Sequence, residues 1–281
     1  MNTALNRALP EVIHETAEMQ RRCLDLRRQG KRISFVPTMG YLHEGHLSLL
    51  TEGRKRGDVL VLSIFVNPTQ FGPNEDLDSY PRDLDSDLDI AANAGVDLVY
   101  APLPKEVYPE GYATYVNVEG LTETLCGASR PNHFRGVTTV VSKLFNIVQP
   151  DVALFGEKDF QQLAVIRRMT LDLNMPVEVV GLPIVREPDG LAMSSRNVYL
   201  TSEQREQALT LSQSIDLARE LARQGETDCR TILEAVRQKI EAGPEAKVDY
   251  LQICHRETLA DQEKVDADSV LLLAVFVGST R

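Results

Sequence analysis

The stretch FVPTMGYLHEGHLSLL sets His43 and His46 three positions apart around Gly45, in a chain with only five histidines. Imidazoles at that spacing project from nearly one side of a helix start, where unpaired backbone N–H groups attract anions. Gly45 between them lets a flat ring or a phosphate approach the backbone. Gly40 and Gly45 carry the glycine spacing of a phosphate loop, but His46 and Leu47 stand where such a loop requires Lys and then Ser or Thr. A zincin needs histidines four apart, and no third ligand stands out. An isolated H-x-G-H therefore leaves two readings, an anion site built on imidazoles or a polar pair that caps a surface helix.

Three more segments hold groups that suit a small anionic substrate. SIFVNPTQFG ends an apolar run with Asn67 and Gln70, neutral amides that orient a polar ligand without adding charge, or simply form a turn. FGEKDFQQ puts Gly156, Glu157, Lys158 and Asp159 in a turn before a helix begun by Gln161 and Gln162. A lysine there meets phosphate as a point donor while turn amides surround it, or else forms a surface ion pair. MSSRNVYL offers Ser194, Ser195 and Arg196 after Met193, two hydroxyls and a permanent cation, chemically a polyphosphate clamp or a polar hairpin. The acidic run Asp83, Asp85, Asp87 and Asp89 favours a helix N-terminus, with Asp87 the candidate ligand should it hold magnesium.

Those residues need a scaffold, and the apolar pattern supplies one. Residues 11–29 carry apolar side chains at roughly helical spacing, with Gly30 as a stop. Strand candidates RISFVP, VLVLSIFV, VDLVYAP, DVALFG and PVEVVGLP then alternate with helical stretches. Alternation of this kind predicts a Rossmann-like open parallel sheet with helices on both faces, whose ligands sit beyond the carboxyl ends of the strands. The segments after ISFVP, LSIFV and DVALF fall at such ends. After about residue 183 the pattern changes. Thr201 and Gln204 match a capping box, helices are expected near 202–223 and 228–241, and two apolar strands close the chain. The expected domains are 1–182, the open sheet with its strand-end segments, and 183–281, a smaller α+β domain expected to act as a lid because it supplies Ser194, Ser195 and Arg196 across a turn-rich junction.

Composition narrows the function classes. Hydrophobic residues at 43% and charged residues at 25% are ordinary globular values, so disorder and fibrous repeats are disfavoured. A net charge of -11 opposes a broad nucleic-acid interface, which needs a basic face. Four dispersed cysteines without a C-x-x-C pair fit a reducing cytoplasm rather than a disulfide framework. The N-terminal stretch lacks a basic region followed by an apolar run, and no segment approaches the ~18 apolar residues of a membrane span.

Taken together and in order, PTMGYLHEGH, IFVNPTQF, RPNHFRGV, FGEKDFQQ and MSSRNVYL closely resemble the pantoate-beta-alanine ligase family. The resemblance runs from about residue 11 to the last strand. It places the chain beside nucleotidylyltransferases and class I aminoacyl-tRNA synthetases, whose H-x-G-H and K-M-S-K-S signatures are echoed by His43 to His46 and Met193 to Arg196. It implies activation of (R)-pantoate by ATP to pantoyl adenylate, then displacement of AMP by the amine of beta-alanine. It further implies magnesium, a homodimer and a cytoplasmic enzyme.

By the same resemblance Met39, Gly40, Tyr41, Leu42, His43, Glu44, Gly45 and His46 line the ATP site together with Gly156 to Asp159. Val185 lies beside adenine and ribose, and Met193, Ser194, Ser195 and Arg196 close over the phosphates. Gln70 and Gln162 hold pantoate, Gln70 also lies near beta-alanine, and His46 is the proton donor. His43, His46, Lys158 and Arg196 carry the chemistry. Three positions depart from the family pattern: Tyr41 replaces a small residue, Thr69 a methionine and Asn132 a glycine. Competing readings are a nucleotidylyltransferase acting on a phosphorylated small molecule and a nucleotide-binding regulator without catalysis.

Overall fold

Residues 9–281 are described by the computed structural model; residues 1–8, part of the stretch in which no export signal was read, lie outside it. The described chain divides into two units, one comprising the residues up to Val118 with Pro131–Ile184, the other Glu119–Arg130 with Val185–Arg281.

The first unit is built on six strands: β1 (Glu11–Ile13), β2 (Ile33–Thr38), β3 (Val59–Ile64), β4 (Leu98–Tyr100), β5 (Val152–Gly156) and β6 (Glu178–Leu182). They form one sheet in the order β1-β4-β3-β2-β5-β6, and every pairing is parallel. The helices between them are α1 (Thr16–Arg28), α2 (Glu44–Arg56), α3 (Leu84–Ala94), the short α4 (Pro104–Val107), α6 (His133–Val148) and α7 (Phe160–Asp172), while α5 (Leu125–Ser129) belongs to the second unit. Phe35 and Val36 point to opposite faces of β2 and both are fully buried, so helices cover both faces. That burial explains why the central strands read as unbroken apolar runs. Val36, Leu50, Leu60, Leu62, Val99 and Leu154 join in the core.

The helical stretch expected over 11–29 is divided. Glu11–Ile13 pairs in parallel with Leu98–Tyr100, and the helix starts only at Thr16. The partner strand lies far along the chain, and its edge hydrogen bonds override the helical spacing of Val12. The other helices follow local signals: Asp83 caps α3 by accepting from Ser86 N, and Gly95 ends it in the left-handed conformation at φ 76°.

The strand order reverses between β2 and β5. From β2 the chain adds strands outward on one side, and from β5 on the other, leaving a crevice at the carboxyl ends of these two neighbours. The His43 turn follows β2 and the Lys158 turn follows β5.

In the second unit α8 (Ser202–Arg223) and α9 (Cys229–Ile240) pack with the antiparallel pair β7 (Ala246–His255) and β8 (Ser269–Val277). Thr201 and Gln204 form the capping box at the start of α8. Glu119–Arg130 joins this unit although the sequence reading assigned it to the first; Ser129 Oγ donates to Asp249 on β7 at 3.0 Å. No described helix is long and apolar enough to cross a membrane.

Candidate active site

The turn after β2 has a demanding backbone. Gly40 and Tyr41 have φ of 84° and 53°, both left-handed, and for tyrosine that conformation costs on the order of 1 kcal/mol or more. A Cβ on Gly40 would meet Asp87 Oδ2 at 2.8 Å and Ile64 Cγ2 at 2.9 Å, so only glycine fits there. The turn is held by Asp87 of α3, whose two carboxylate oxygens accept Tyr41 N at 2.8 Å and Leu42 N at 2.6 Å. Successive backbone amides that converge on a carboxylate form an anion-binding concavity, here filled from within the protein.

Asp87, the candidate ligand had the acidic run held magnesium, serves here as a clamp on this turn. It is 2% exposed, and both its oxygens are engaged by backbone amides. Burial pushes its carboxyl up from the ordinary range, the amides of Leu42 and Tyr41 oppose that shift, and Asp83 adds to it. Among the described residues no group of three His, Cys, Asp or Glu side chains is arranged to hold a metal.

Held in this way, the turn delivers two histidines in a defined state. His43 is the N-cap of α2, and its Nδ1 accepts from Gly45 N at 3.1 Å. His46 Nδ1 accepts in turn from His43 N at 3.3 Å, which makes a reciprocal capping box of imidazoles. The rings lie 4.1 Å apart between centroids. An Nδ1 that accepts carries no proton, so each neutral ring bears its hydrogen on Nε2. His46 is pushed down to about 3, first by burial, then by His43 and Lys158, with Asp159 opposing. Near neutral pH it is an uncharged Nε2–H donor.

β5 pairs in parallel with β2, so the turn after β5 opens at the same end of the sheet as the histidine turn, and Lys158 and Asp159 act electrostatically on His46. Glu157–Asp159 forms a 3-10 turn leading directly into α7, and Lys158 Nζ lies 3.6 Å from Asp159 Oδ1. At the start of α7, Gln161 is buried while Gln162 is partly exposed.

A third component is the 3-10 turn Pro68–Gln70 after β3. Asn67 Nδ2 donates to Gln70 Oε1 at 3.0 Å and to Gly136 O at 3.2 Å, and Gln70 Nε2 reaches Met39 Sδ at 3.4 Å. This joins the amides to the histidine turn. Gly136 is indispensable to the approach of α6, because a Cβ there would lie 2.5 Å from Thr69 O and 2.7 Å from Gln70 Cα. His133 Nδ1 contacts Gln70 O at 2.8 Å. The sequence reading assigned no role to His133, Gly136 or Tyr108 individually, because they reach this turn from distant segments and carry no local spacing signal.

Val185, Met193, Ser194, Ser195 and Arg196 are brought together within the second unit. Met193 N donates to Val185 O at 3.0 Å across a tight hairpin, closed by Gly190 N donating to Glu187 O at 2.8 Å. Ser194 caps the 3-10 turn Ser195–Tyr199 by accepting from Arg196 N at 3.2 Å. Arg205 fastens the hairpin through Glu187 and Asp189, each at 2.6 Å.

A family model described as pantoate-beta-alanine ligase matches residues 11–281. The chain belongs to that family. The pantothenate synthetase of Syntrophotalea carbinolica is 63% identical over 271 residues, 96% of each chain. A crystal structure of the pantothenate synthetase of Thermus thermophilus matches with a TM-score of 0.90 and 50% identity, covering 94% of both chains. A pantoate-beta-alanine ligase of Francisella tularensis, solved with beta-gamma ATP and beta-alanine, is 33% identical with a TM-score of 0.78, covering 96% of this chain and 95% of its own. The parallel sheet with a small antiparallel pair is thus the architecture of the pantoate-beta-alanine ligases.

Two of the three departures from the family pattern have a backbone consequence in this ligase. Asn132, in place of glycine, caps α6 at φ 68°, a conformation that asparagine tolerates better than most residues. Tyr41 takes its left-handed place under the Asp87 clamp. The third, Thr69, supplies a hydroxyl that donates to Asn67 Oδ1 at 2.9 Å.

Proposed function

We propose that this family member is an AMP-forming ligase that joins (R)-pantoate to beta-alanine, making pantothenate on the route to coenzyme A. A pantoate carboxylate oxygen attacks the α-phosphorus of ATP, and pyrophosphate leaves. The beta-alanine amine then attacks the acyl carbon of pantoyl adenylate, the bond to AMP breaks, and the amine loses a proton. The observation that carries this reading is the pair of Nε2–H imidazoles at a helix N-terminus beside Lys158, at the reversal of the strand order.

Attack at phosphorus gains mostly from positioning and from donors aimed at developing charge. Met39 to His46 and Gly156 to Asp159 are assigned to ATP, with His43, His46 and Lys158 directed at phosphate oxygens. The same reading gives Val185 to the nucleoside and Met193 to Arg196 to the phosphates. Gln70 and Gln162 are assigned to pantoate, and Gln70 also to beta-alanine. The neutral state of His46 supports hydrogen-bond donation from Nε2 rather than the proton transfer implied by the family resemblance.

Magnesium fits as an ion that enters with ATP, since it is commonly held by substrate phosphates rather than by an all-protein cage and the described carboxylates offer no cage. The four cysteines are thiols rather than disulfides, which agrees with a cytoplasmic enzyme. The homodimer belongs to the same reading, and sedimentation equilibrium at micromolar concentration decides it.

The deciding experiment is exchange of labelled pyrophosphate into ATP. Exchange is expected to require pantoate but not beta-alanine, and AMP is expected to appear once beta-alanine is added. Exchange without pantoate, or ADP as product, overturns the ligase reading, and label retained in a nucleotide-containing product points to a nucleotidylyltransferase. In Lys158→Ala the pantoate-dependent exchange is expected to fall by about 10² or more, as for loss of a preorganised donor.

A further inference from the structure

Asn67 is 1% exposed, and its side-chain amide is fully used. Oδ1 accepts from Tyr108 Oη at 2.8 Å, from Thr69 Oγ1 at 2.9 Å and from Thr69 N at 3.4 Å. Both Nδ2 hydrogens are given, one to Gln70 Oε1 and one to Gly136 O. A flipped amide would set its oxygen against Gly136 O, which can only accept, and its NH2 against Thr69 N, which can only donate, so a single orientation survives. That orientation fixes the next amide. With Oε1 of Gln70 engaged by Asn67, its Nε2 faces the opposite way, toward Met39 Sδ on the histidine turn. A thioether is a weak acceptor, readily replaced by a substrate oxygen.

The relay originates at Tyr108, which reaches Asn67 from the turn that ends α4. Thr69 Oγ1 lies 3.1 Å from the same phenol oxygen, and both hydroxyls give their protons to Asn67 Oδ1. Burial pushes the phenol up to about 12, which keeps its proton in place.

We propose that Tyr108 is a positioning residue for pantoate: through Asn67 it sets the Gln70 amide so that an N–H donor, and not the carbonyl oxygen, meets an acceptor oxygen of the substrate. The proposal rests on the assignment of Gln70 to pantoate made above. It differs from a structural role in its selectivity, since Gln70 is assigned to pantoate and beta-alanine and not to ATP, and pyrophosphate exchange reads pantoate without beta-alanine present.

The test is a kinetic cycle on the full chain with Tyr108→Phe, Gln70→Ala and the double variant, read as KM for pantoate and for ATP in pyrophosphate exchange. Tyr108→Phe is expected to raise KM for pantoate about tenfold, the loss of about one hydrogen bond, and to leave KM for ATP within about twofold. In the Gln70→Ala background the tyrosine change is expected to have no further effect, because residues acting in one chain are not additive. An unchanged pantoate KM in Tyr108→Phe, an equal rise for ATP, or effects that multiply in the double variant overturns the relay. Should Tyr108→Phe fail to fold, Thr69→Val takes its place in the same cycle, with a smaller rise in pantoate KM expected and the same refutations. Exchange independent of pantoate in the unaltered chain defeats the ligase reading itself and is distinguished by that control.

Discussion

The clamp of Asp87 on the histidine turn makes a prediction that separates it from a metal ligand. In Asp87→Asn one carboxylate oxygen becomes an NH2 group facing either Tyr41 N or Leu42 N, now 2.8 and 2.6 Å from the acceptors. One charge-assisted hydrogen bond is lost, worth about 1.5–3 kcal/mol, and a buried donor is left unpaired at a further ~1–3 kcal/mol. Relief of the burial that pushes the carboxyl up offsets part of this. A net loss of about 2–3 kcal/mol of folding stability is expected, measured as a lower urea midpoint at unchanged slope. Under folded conditions, pantoate-dependent exchange should fall at least about tenfold, because His43 and His46 leave their positions. Tyr41→Gly in the same background should restore part of both losses, since glycine adopts φ 53° without steric cost. Raising magnesium should restore neither. Wild-type stability and exchange in Asp87→Asn, or recovery driven by magnesium alone, would refute the clamp.

Two further predictions concern the histidines and α6. The folded state holds His46 at about 3 against an ordinary 6.5, so its contribution to stability is fully present above about pH 6.5 and is lost as pH falls toward 3. His46→Ala should flatten the acid side of the stability profile relative to the unaltered chain, and identical profiles would count against the buried neutral ring. Nitrogen-15 spectra should show His46 as the Nε2–H form near neutral pH; an Nδ1–H ring would contradict the capping box. Gly136→Ala forces Cβ against Thr69 O and Gln70 Cα, a backbone clash that moves the turn. It should cost on the order of 1–3 kcal/mol and raise KM for pantoate more than KM for ATP, which a purely global destabilisation would not do.

What the sequence discloses here depends on whether the stabilising partner is local. RISFVP and VLVLSIFV read correctly as strands because burial on both faces leaves a continuous apolar signature, and Thr201 with Gln204 announced α8 because both halves of the box lie within four residues. β1 was read as helix because its defining partner is Leu98–Tyr100. The same rule divides the site. The imidazole pair was visible as a spacing, yet its tautomers depend on backbone hydrogen bonds that no residue pattern records. Asp87 stood in an acidic run with two sequence-level meanings, and its third, a clamp on residues 41 and 42, lay 45 or more positions away. Tyr108 in EVYP gave no signal at all, because its meaning is a hydroxyl 2.8 Å from an amide 41 residues earlier. The groups most legible in this sequence are those assigned to ATP and pantoate, whereas the groups that fix their orientation became visible only in the fold. Substitutions at Asp87 and Tyr108 are accordingly the most informative ones, since they leave every residue assigned to substrate unaltered and change only its geometry.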